Sequence, residues 1–441
     1  MRVTPPLSSP PSQPPAPSPP AQPSPSASPP ADARPAWSPP PGTAVGLLGG
    51  GQLARMLARA ALDLGLRPVV FAQRGDDPAA LACRDVVEGE VGDGAALRAF
   101  LASVSVVAFE NEFVPCEALE QASEGLPLRF GPGLGVLGRL RDKLGQKEVL
   151  AALGVPSAPY LVHDPAEPFE AWADRARGAF GGLGCVLKWS CFGYDGKGTL
   201  ALDAAGPLPA ELGAFGAEAF ARGARLFAEQ RVPFRRELAL CAAYSTAGEF
   251  AAYPLVITRQ ERGVCVEVRG PARALGVDPG LEAIAVDYAR RLAEGLGLTG
   301  VFALEAFELA SGELWINEIA PRVHNSGHYT LDAAETSQFE NHWRALLGLP
   351  LGRTGGAAGF VMRNLLGPEG VRAAAAGLPL PPLAAGTHLH WYGKVELRPG
   401  RKLGHLNGVA PPDALDALAA SLEGACGRWA EELRCLINAP P

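Results

Sequence analysis

Two glutamates on a predicted β-hairpin are the residues of this sequence best suited to chemistry. Apolar-rich runs on both sides of Ser311-Gly312 predict a hairpin with those two residues in its turn. In that register Glu305 lies directly opposite Glu318. Buried carboxylates that face each other repel unless one is protonated or a cation lies between them. The pair therefore indicates a Mg²⁺ site of the kind that holds nucleotide phosphates.

The same register has consequences for the neighbours of the two glutamates. The residues expected to share their face are Ala303, Phe307, Ile316 and Ala320. The polar side chains at the end of the second strand and beyond it are Asn317, Arg322, His324, Asn325, Ser326, His328 and Thr330. So many polar groups in an apolar segment favour a binding site, with a surface hairpin of solvated glutamates as the alternative. A shift of one residue in the turn would place the two carboxylates on opposite faces.

A glycine-rich segment after another predicted strand is suited to contacting phosphates. The run 185–189 predicts a strand that carries Lys188 among apolar residues. The segment that follows contains Gly193, Tyr194, Asp195, Gly196, Lys197, Gly198 and Thr199. Its glycines offer backbone N–H donors around a lysine, which predicts a mobile cover for phosphates. A hairpin with an Asp-Gly turn is the alternative, and the segment lacks the Walker A pattern.

Two further glutamates are candidates for contacting a nucleotide, and a charged helix is predicted earlier in the chain. Glu229, with the backbone beyond it, is placed to receive an adenine edge, and Glu237 to receive a ribose hydroxyl. A charged helix predicted over residues 140–153 carries Lys143 and Lys147 one turn apart. Glu229 or Glu237 taken alone would more often be structural.

The pattern G-x-G-x-x-A joins a predicted strand to a helix in the first region, where helix N–H groups bind anions. The residues of this turn are Gly50, Gly51 and Gln52. An NAD site requires an acidic residue after the second strand, and this sequence has Ala72 and Gln73 there. The turn is therefore predicted to bind a phosphate or a substrate, or only to pack tightly.

Charged residues also stand at a later strand end and near the C-terminus. The predicted strand 104–109 is followed by Glu110 and Glu112, and functional groups gather at the carboxyl ends of parallel strands. A charged loop without function is the alternative there. The basic segment 398–405 is predicted to be a loop that meets an anion such as a phosphate, or else a solvated loop.

Composition excludes several classes of protein. The chain has 441 residues and a formal charge of -7, without the basic patch that nucleic-acid binding requires. It has no run of 18 uncharged apolar residues that would span a membrane. Its eight cysteines are scattered and form no C-x-x-C pair, which predicts reduced thiols in a cytoplasmic protein and no zinc site.

The chain is predicted to consist of a tail and three folded regions. Residues 1–42 are mostly Pro, Ser and Ala, and we expect them to be disordered or PPII-like. They are an unselected extension, the product of a misplaced start codon, or a Pro-rich docking segment, and they do not resemble a signal peptide. The folded regions are expected at 43–137, 138–351 and 355–441. A helix over residues 331–347 is predicted to face inward with Phe339, Trp343, Leu346 and Leu347, and a last helix spans residues 413–435.

Several motifs in sequence order resemble one known family. They include GLLGGGQLARML, FENEFVP, FGYDGKGT, NEIAPRVHNSGH and YGKVELRPGRK. From Val45 to about Asn407 the chain is similar to the N5-carboxyaminoimidazole ribonucleotide synthetases of the ATP-grasp superfamily. The resemblance implies an α/β and α+β fold with a Rossmann-like N-terminal domain, an ATP-grasp domain and a small β-rich C-terminal domain.

The resemblance also implies an activity and a set of site residues. The activity is the carboxylation of aminoimidazole ribonucleotide with ATP, Mg²⁺ and bicarbonate, carried out by a homodimer. The residues implied to bind ATP are Lys143, Lys188, those of segment 193–199, Glu229, Gln230, Arg231, Val232, Glu237, Gln260, Asn317 and Glu318. Those implied to hold Mg²⁺ are Glu305 and Glu318. Those implied at the transfer site are Glu110, Arg322, His324, Asn325, His328 and Lys394. Those implied to reach the ribonucleotide phosphate are Gly50, Gly51, Gln52, Lys394, Arg401 and Lys402.

The sequence departs from the family pattern at positions that concern nucleotide affinity more than the class of reaction. Relatives usually carry Arg-Arg before the glycine segment, where this chain has residues 189–192, Trp-Ser-Cys-Phe. Segment 254–263 lacks the family's Glu, Asn and His, and Gln260 and Arg259 are expected to compensate. The alternatives are another ATP-grasp carboxylate ligase or a non-catalytic nucleotide-binding relative. An NAD oxidoreductase is disfavoured because no ribose-binding acidic residue follows the glycine turn.

Overall fold

The computed structural model describes residues 39–193 and 197–438. The predictions for residues 1–38 and for positions 194–196, which include Tyr194, Asp195 and Gly196, lie outside the described residues. Within the described part, parallel and antiparallel sheets are packed with helices, so the predicted α/β and α+β fold is confirmed.

The first region is a parallel β-α-β sheet, as predicted. Its elements are β1 (Ala44–Leu48), α1 (Gln52–Asp63), β2 (Arg67–Ala72), β3 (Asp85–Glu88), α2 (Gly94–Ala102), β4 (Val106–Phe109), α3 (Cys116–Ser123) and β5 (Arg129–Gly131). The strands are parallel in the order β3-β2-β1-β4-β5. Because parallel strands share one carboxyl edge, the glycine turn after β1 lies beside the acidic segment after β4.

Two helices lead into a small antiparallel sheet. The elements are α4 (Leu134–Leu140), α5 (Lys143–Ala152), β6 (Tyr160–Val162), α6 (Phe169–Gly178), β7 (Cys185–Trp189), β8 (Thr199–Leu202), α7 (Leu212–Ala221) and β9 (Leu226–Gln230). The sheet order is β6-β9-β7-β8. The predicted start of the helix over residues 140–153 is wrong. Asp142 accepts the N–H groups of Leu144 and Gly145, and this cap makes α5 begin at Lys143.

A large antiparallel sheet runs through the second and third regions. Its strands and the helices beside it are β10 (Phe234–Tyr244), β11 (Phe250–Ala252), β12 (Val256–Glu261), β13 (Val264–Gly270), α8 (Pro279–Leu296), β14 (Gly300–Leu309), β15 (Leu314–Ala320), α9 (Thr330–Ala333), α10 (Gln338–Leu347), β16 (Phe360–Leu366), β17 (Ala373–Ala374), β18 (Thr387–Trp391), β19 (Glu396–Leu397), β20 (Lys402–Val409) and α11 (Leu415–Asn438). The order is β15-β14-β10-β12-β13-β16-β20-β18, while β17 and β19 form a separate pair. Because β13 pairs with β16, the third region extends the sheet that carries the two glutamates.

The predicted two-residue turn of the β14–β15 hairpin is wrong. The N–H of Leu309 donates to the carbonyl of Glu313 at 2.9 Å, which encloses three residues, and Gly312 adopts a φ of +85° among them. A left-handed residue in the last position is usual for a three-residue hairpin turn. This three-residue turn shifts the strand pairing by one residue relative to the pairing predicted from a two-residue turn. Ala306, for example, lies opposite Ile316.

A β-bulge beside the glutamates restores the pairing that the sequence predicted. The register shifts beyond the pair of Ala306 and Ile316, so that Asn317 is the extra residue and Glu305 lies opposite Glu318. A bulge also re-aims side chains, and Asn317 and Glu318, although consecutive, line the same cavity. Ile316 is buried in the core on the other face of the sheet, so the prediction that it shares the face of the glutamates is wrong.

Helix α10 docks the first region onto the large sheet. The single helix predicted over residues 331–347 is wrong, because the chain breaks after α9 and Ser337 caps α10 by accepting the N–H of Glu340. The indole N–H of Trp343 donates to the carbonyl of Leu57 in α1 at 2.8 Å. The residues predicted to face inward are all buried, and they are Phe339, Trp343, Leu346 and Leu347.

The third region differs from the prediction at its basic segment. Residues 398–405 were expected to form a loop, but β20 begins at Lys402 and the three residues after it are buried. Their backbone groups pair with β16 and β18, which explains why the segment is a strand. The C-terminal helix is present as predicted, as α11. In the described part of the chain, no helix is long and apolar enough to cross a membrane.

We expect Trp343→Phe to lower the free energy of unfolding by about 2 kcal/mol, from the lost hydrogen bond and the smaller buried ring. Trp315→Phe is the matched control, because Trp315 is only half-buried on β15 and should have a small effect. Urea unfolding followed by circular dichroism measures both variants. Equal losses in the two variants would show that α10 does not depend on this contact.

Candidate active site

A cavity of about 830 Å³ lies between the first region, the small sheet and the large sheet, and it collects most of the residues that the sequence singled out. The predicted site residues that line it are Gln52, Glu110, Lys143, Lys188, Gly193, Lys197, Thr199, Glu229, Gln230, Arg231, Val232, Glu237, Gln260, Glu305, Asn317, Glu318, Arg322, His324, Asn325, His328 and Lys402. The structure thus brings these residues together in one cavity. The role assigned to each residue stays a prediction.

Five predicted site residues lie outside this lining. Gly51 donates its N–H to the carboxylate of Glu110 at 2.7 Å, and Gly50 lies beside it in the same turn. The other three are Gly198, Lys394 and Arg401. Gly198 lies against the Trp189 indole, and the ammonium of Lys394 lies 5.9 Å from the Tyr392 ring centroid. Arg401 contacts Glu396. The anion that the glycine turn contacts among the described residues is therefore the carboxylate of Glu110, a group of the protein itself.

The opposed glutamates are the electrostatic centre of the cavity. Lys143 donates to Glu318 at 2.5 Å. Burial opposes ionisation of Glu318, but Lys143, Lys188 and Arg322 together outweigh it and lower the pKa of this carboxyl group. Burial, together with the neighbouring Glu318, raises the pKa of Glu305 to about 7. Two carboxylates of which one is protonated near neutral pH form a donor set that a hard divalent cation would satisfy. The residues present therefore fit Mg²⁺.

A second charged cluster is buried on the small sheet. Glu229 on β9 contacts the ammonium groups of both Lys147 and Lys188. Although burial opposes ionisation of Glu229, the two lysines outweigh it and lower the pKa of this carboxyl group. Lys188 also donates to the side-chain oxygen of Asn317 at 3.1 Å, so the cluster reaches the large sheet. The Glu229 carboxylate thus orients two lysines, and the adenine contact expected of this segment stays a prediction.

His324 is held in one tautomer. Its Nδ1 accepts the backbone N–H of Ser326 at 3.3 Å and lies 2.9 Å from the Ser326 hydroxyl. Because a backbone N–H can only donate, Nδ1 carries the lone pair and Nε2 carries the proton. Nε2 lies 3.5 Å from a carboxylate oxygen of Glu305. Burial lowers the pKa of His324 to about 3, so the imidazole is a neutral donor.

The other polar residues after β15 connect the cavity to the third region. The side-chain amide of Asn325 exchanges two hydrogen bonds with that of Asn364 on β16, at 3.2 and 2.7 Å. His328 is fully buried, and its ring centroid lies 4.8 Å from that of His405 on β20. These contacts explain why the third region is part of the site.

Sequence reasoning missed some residues of the cavity. Phe234 and Phe307 stack with ring centroids 4.7 Å apart and form an apolar wall of the cavity. Only Phe307 was predicted to face the cavity, because the position of Phe234 depends on a register shift in β10. The compensation expected from Arg259 is wrong, because its guanidinium pairs with Glu261 and Glu423.

Two sheets that enclose a cavity of lysines and carboxylates, beside a parallel β-α-β domain, define an ATP-grasp ligase. Family models agree, matching an ATP-grasp domain at residues 148–339, a ribonucleotide synthetase preATP-grasp domain at 43–131 and a phosphoribosylaminoimidazole carboxylase C-terminal domain at 360–415. A relative from Synechococcus elongatus, N5-carboxyaminoimidazole ribonucleotide synthase, is 41% identical over 82% of this chain and 88% of its own length. The chain belongs to the N5-carboxyaminoimidazole ribonucleotide synthase family.

Solved structures of the family share the fold. The synthetase from Thermus thermophilus aligns with a TM-score of 0.70 and 37% identity over 90% of this chain and 99% of its own. The synthase from Aspergillus clavatus, in complex with ADP and 5-aminoimidazole ribonucleotide, aligns with a TM-score of 0.74 and 28% identity over 88% and 99%. The alignments thus extend over nearly the whole of each solved chain.

We expect the binding of MgATP near pH 7 to release a proton from Glu305. A cation requires this group as a carboxylate, whereas without a cation it is partly protonated near pH 7 because its pKa is about 7. The affinity should therefore fall as the pH is lowered from 8 to 6. Calorimetry in buffers of different ionisation enthalpy measures the proton, and Glu305→Gln should remove it. The exposed Glu313→Gln is the control, and equal proton release by wild type and Glu305→Gln would contradict the assignment.

Proposed function

We propose that this chain carboxylates 5-aminoimidazole ribonucleotide to N5-carboxyaminoimidazole ribonucleotide, using ATP and bicarbonate, in the de novo synthesis of purines. The observation that carries the proposal is the single cavity in which Glu305 and Glu318 lie beside Lys188 and within reach of Arg322 and His324. A site for nucleotide phosphates thus adjoins a group of donors for a small oxyanion. Family membership supplies the identity of the acceptor.

The reaction consists of a phosphoryl transfer followed by a carboxylation. An oxygen of bicarbonate bonds to the γ-phosphorus of ATP, the bond to ADP breaks, and carboxyphosphate forms. Carboxyphosphate then divides into CO₂ and phosphate. The exocyclic amine nitrogen of the ribonucleotide bonds to the carbon of CO₂ and loses a proton. Phosphoryl transfer needs charge neutralisation and alignment more than covalent help from the protein.

The first part of the cavity would bind ATP. Lys143 and Lys188 supply positive charge for the phosphates, and their carboxylate partners hold both ammonium groups in place. Mg²⁺ would be held by Glu305 and Glu318, with Asn317 beside them. A bound Mg²⁺ supplies positive charge to the phosphate oxygens in transfer. Fixed charges of this kind lower the barrier because they need no reorganisation during the reaction.

The second part of the cavity would bind bicarbonate and the ribonucleotide. The guanidinium of Arg322 and the Nε2–H of neutral His324 are donors suited to the oxygens of bicarbonate and carboxyphosphate. Lys402 lines the cavity from β20, Arg401 directly precedes that strand and Lys394 follows β18, so all three are suited to the ribonucleotide phosphate. The glycine segment around residue 193 is proposed to limit water, which would hydrolyse carboxyphosphate.

Further properties are proposed on the resemblance to the family. These are a homodimer, a cytoplasmic location and a division into domains at residues 43–137, 138–351 and 355–441. Light scattering on the purified chain measures the first. Another ATP-grasp carboxylate ligase is the alternative activity, and the cations of residues 394–402 speak against it because they suit a phosphorylated acceptor.

We expect the purified chain to release phosphate from ATP in the presence of Mg²⁺, bicarbonate and the ribonucleotide. Glu318→Ala should lower this rate by about a hundredfold or more, because the site loses a metal ligand and the partner of Lys143. Glu313→Ala, on the exposed turn of the same hairpin, is the matched control. Coupled detection of phosphate measures the rates. Phosphate release that depends on neither the ribonucleotide nor Glu318 would refute the proposal.

A further inference from the structure

An ion pair joins the first region to the transfer site. Glu112 follows β4, and Arg322 follows β15, 210 residues later. The carboxylate of Glu112 accepts from Nε of Arg322 at 2.6 Å and from Nη2 at 3.1 Å, a side-on bidentate geometry. Both side chains are largely buried, with 6% and 16% of their surfaces exposed. The contact therefore fixes the plane of a guanidinium on the cavity wall.

The hydrogen bonds of Arg322 determine what its guanidinium can still bind. A guanidinium has five N–H groups. Glu112 accepts two of them, and the carbonyl of Val323 accepts one from Nη1 at 3.2 Å. Within the described residues this leaves one N–H on each terminal nitrogen. Two such groups match two oxygens of a carbonate or phosphate.

We infer that Glu112 is a positioning residue that aims Arg322 at bicarbonate and carboxyphosphate. This inference rests on the proposed function and deepens it. Both carboxylate oxygens of Glu112 accept from Arg322, so Glu112 would act through that guanidinium and select which of its edges meets the reacting atoms. The loop after β4 thereby gives the first region a part in the transfer step.

Other contacts hold the first region in place. Trp343 and the core of α10 pack against α1, and Arg141 contacts both the carbonyl of Val114 and the carboxylate of Glu117. Glu117 is 76% exposed and lies away from the cavity, so its pair spans the same two regions without reaching the site. A buried ion pair also contributes little net stability, because desolvation offsets its attraction. Docking alone therefore does not require Glu112.

The test compares Glu112→Gln with Glu117→Gln. A glutamine keeps the shape of Glu112 but turns an amide N–H₂ toward an N–H of Arg322, so at most one of the two bonds remains. We expect the KM for bicarbonate to rise, or kcat to fall, by about tenfold to a hundredfold, since misaligned groups cost this much. The KM for ATP should stay near the wild-type value, whereas the Tm should fall, because Arg322 keeps a largely buried charge without its partner. Glu117→Gln should leave all four quantities unchanged.

A double-mutant comparison separates positioning from a general loss of structure. If Glu112 acts through Arg322, adding Glu112→Gln to Arg322→Lys should change bicarbonate kinetics little. Additive effects, or equal changes in the KM for ATP and for bicarbonate, would overturn the inference. Glu112→Asp withdraws the carboxylate by one methylene but keeps its charge, so a smaller rise in the KM for bicarbonate is expected. If both the KM for bicarbonate and kcat were unchanged in a folded Glu112→Gln, the inference would also be overturned.

Failure of this inference differs from failure of the proposed function. A wild-type chain that shows no ribonucleotide-dependent phosphate release would refute the function. If the wild-type chain is active and the Glu112 variants have the same KM for bicarbonate and the same kcat, only the role of Glu112 would be refuted.

Discussion

Repulsion between two carboxylates on adjacent strands is the constraint around which the cavity is built. Glu305 and Glu318 share one face of the large sheet, where burial strengthens their repulsion. The protein compensates with Lys143 on one side and with the Nε2–H of His324 on the other. A divalent cation would complete the compensation. The repulsion between the two carboxylates would thus favour binding of a cation.

Three parts of the chain meet at this face because of specific backbone features. The bulge at Asn317 brings two consecutive polar residues into the cavity, which a regular strand does not permit. The pairing of β13 with β16 carries the sheet into the third region, so that Asn364 and His405 contact the residues after β15. Helix α10 holds the first region in position through its buried core.

Much of the fold and the site could be predicted because the signals were local. The strand that carries Lys188, the β-α-β unit and the inward face of α10 follow from hydrophobic periodicity. The facing glutamates were predicted correctly, but for the wrong reason, since a longer turn and a bulge cancel each other. Periodicity did not reveal the breaks before α5 and α10, where Asp142 and Ser337 accept backbone N–H groups. It also did not show that Lys402 begins a paired strand.

The sequence by itself determined the motifs and their order along the chain. These identify the family and the chemistry that the family performs. Only the tertiary structure decided which groups from distant parts of the chain face one another. Glu112 meets Arg322 across 210 residues, Glu229 receives two lysines, and Arg259 turns to Glu423 instead of the cavity. These pairings depend on sheet order and on register, which a single residue can shift. Charged side chains pair with the groups that the fold brings close in space. The number of residues between two positions in the sequence does not reveal that proximity.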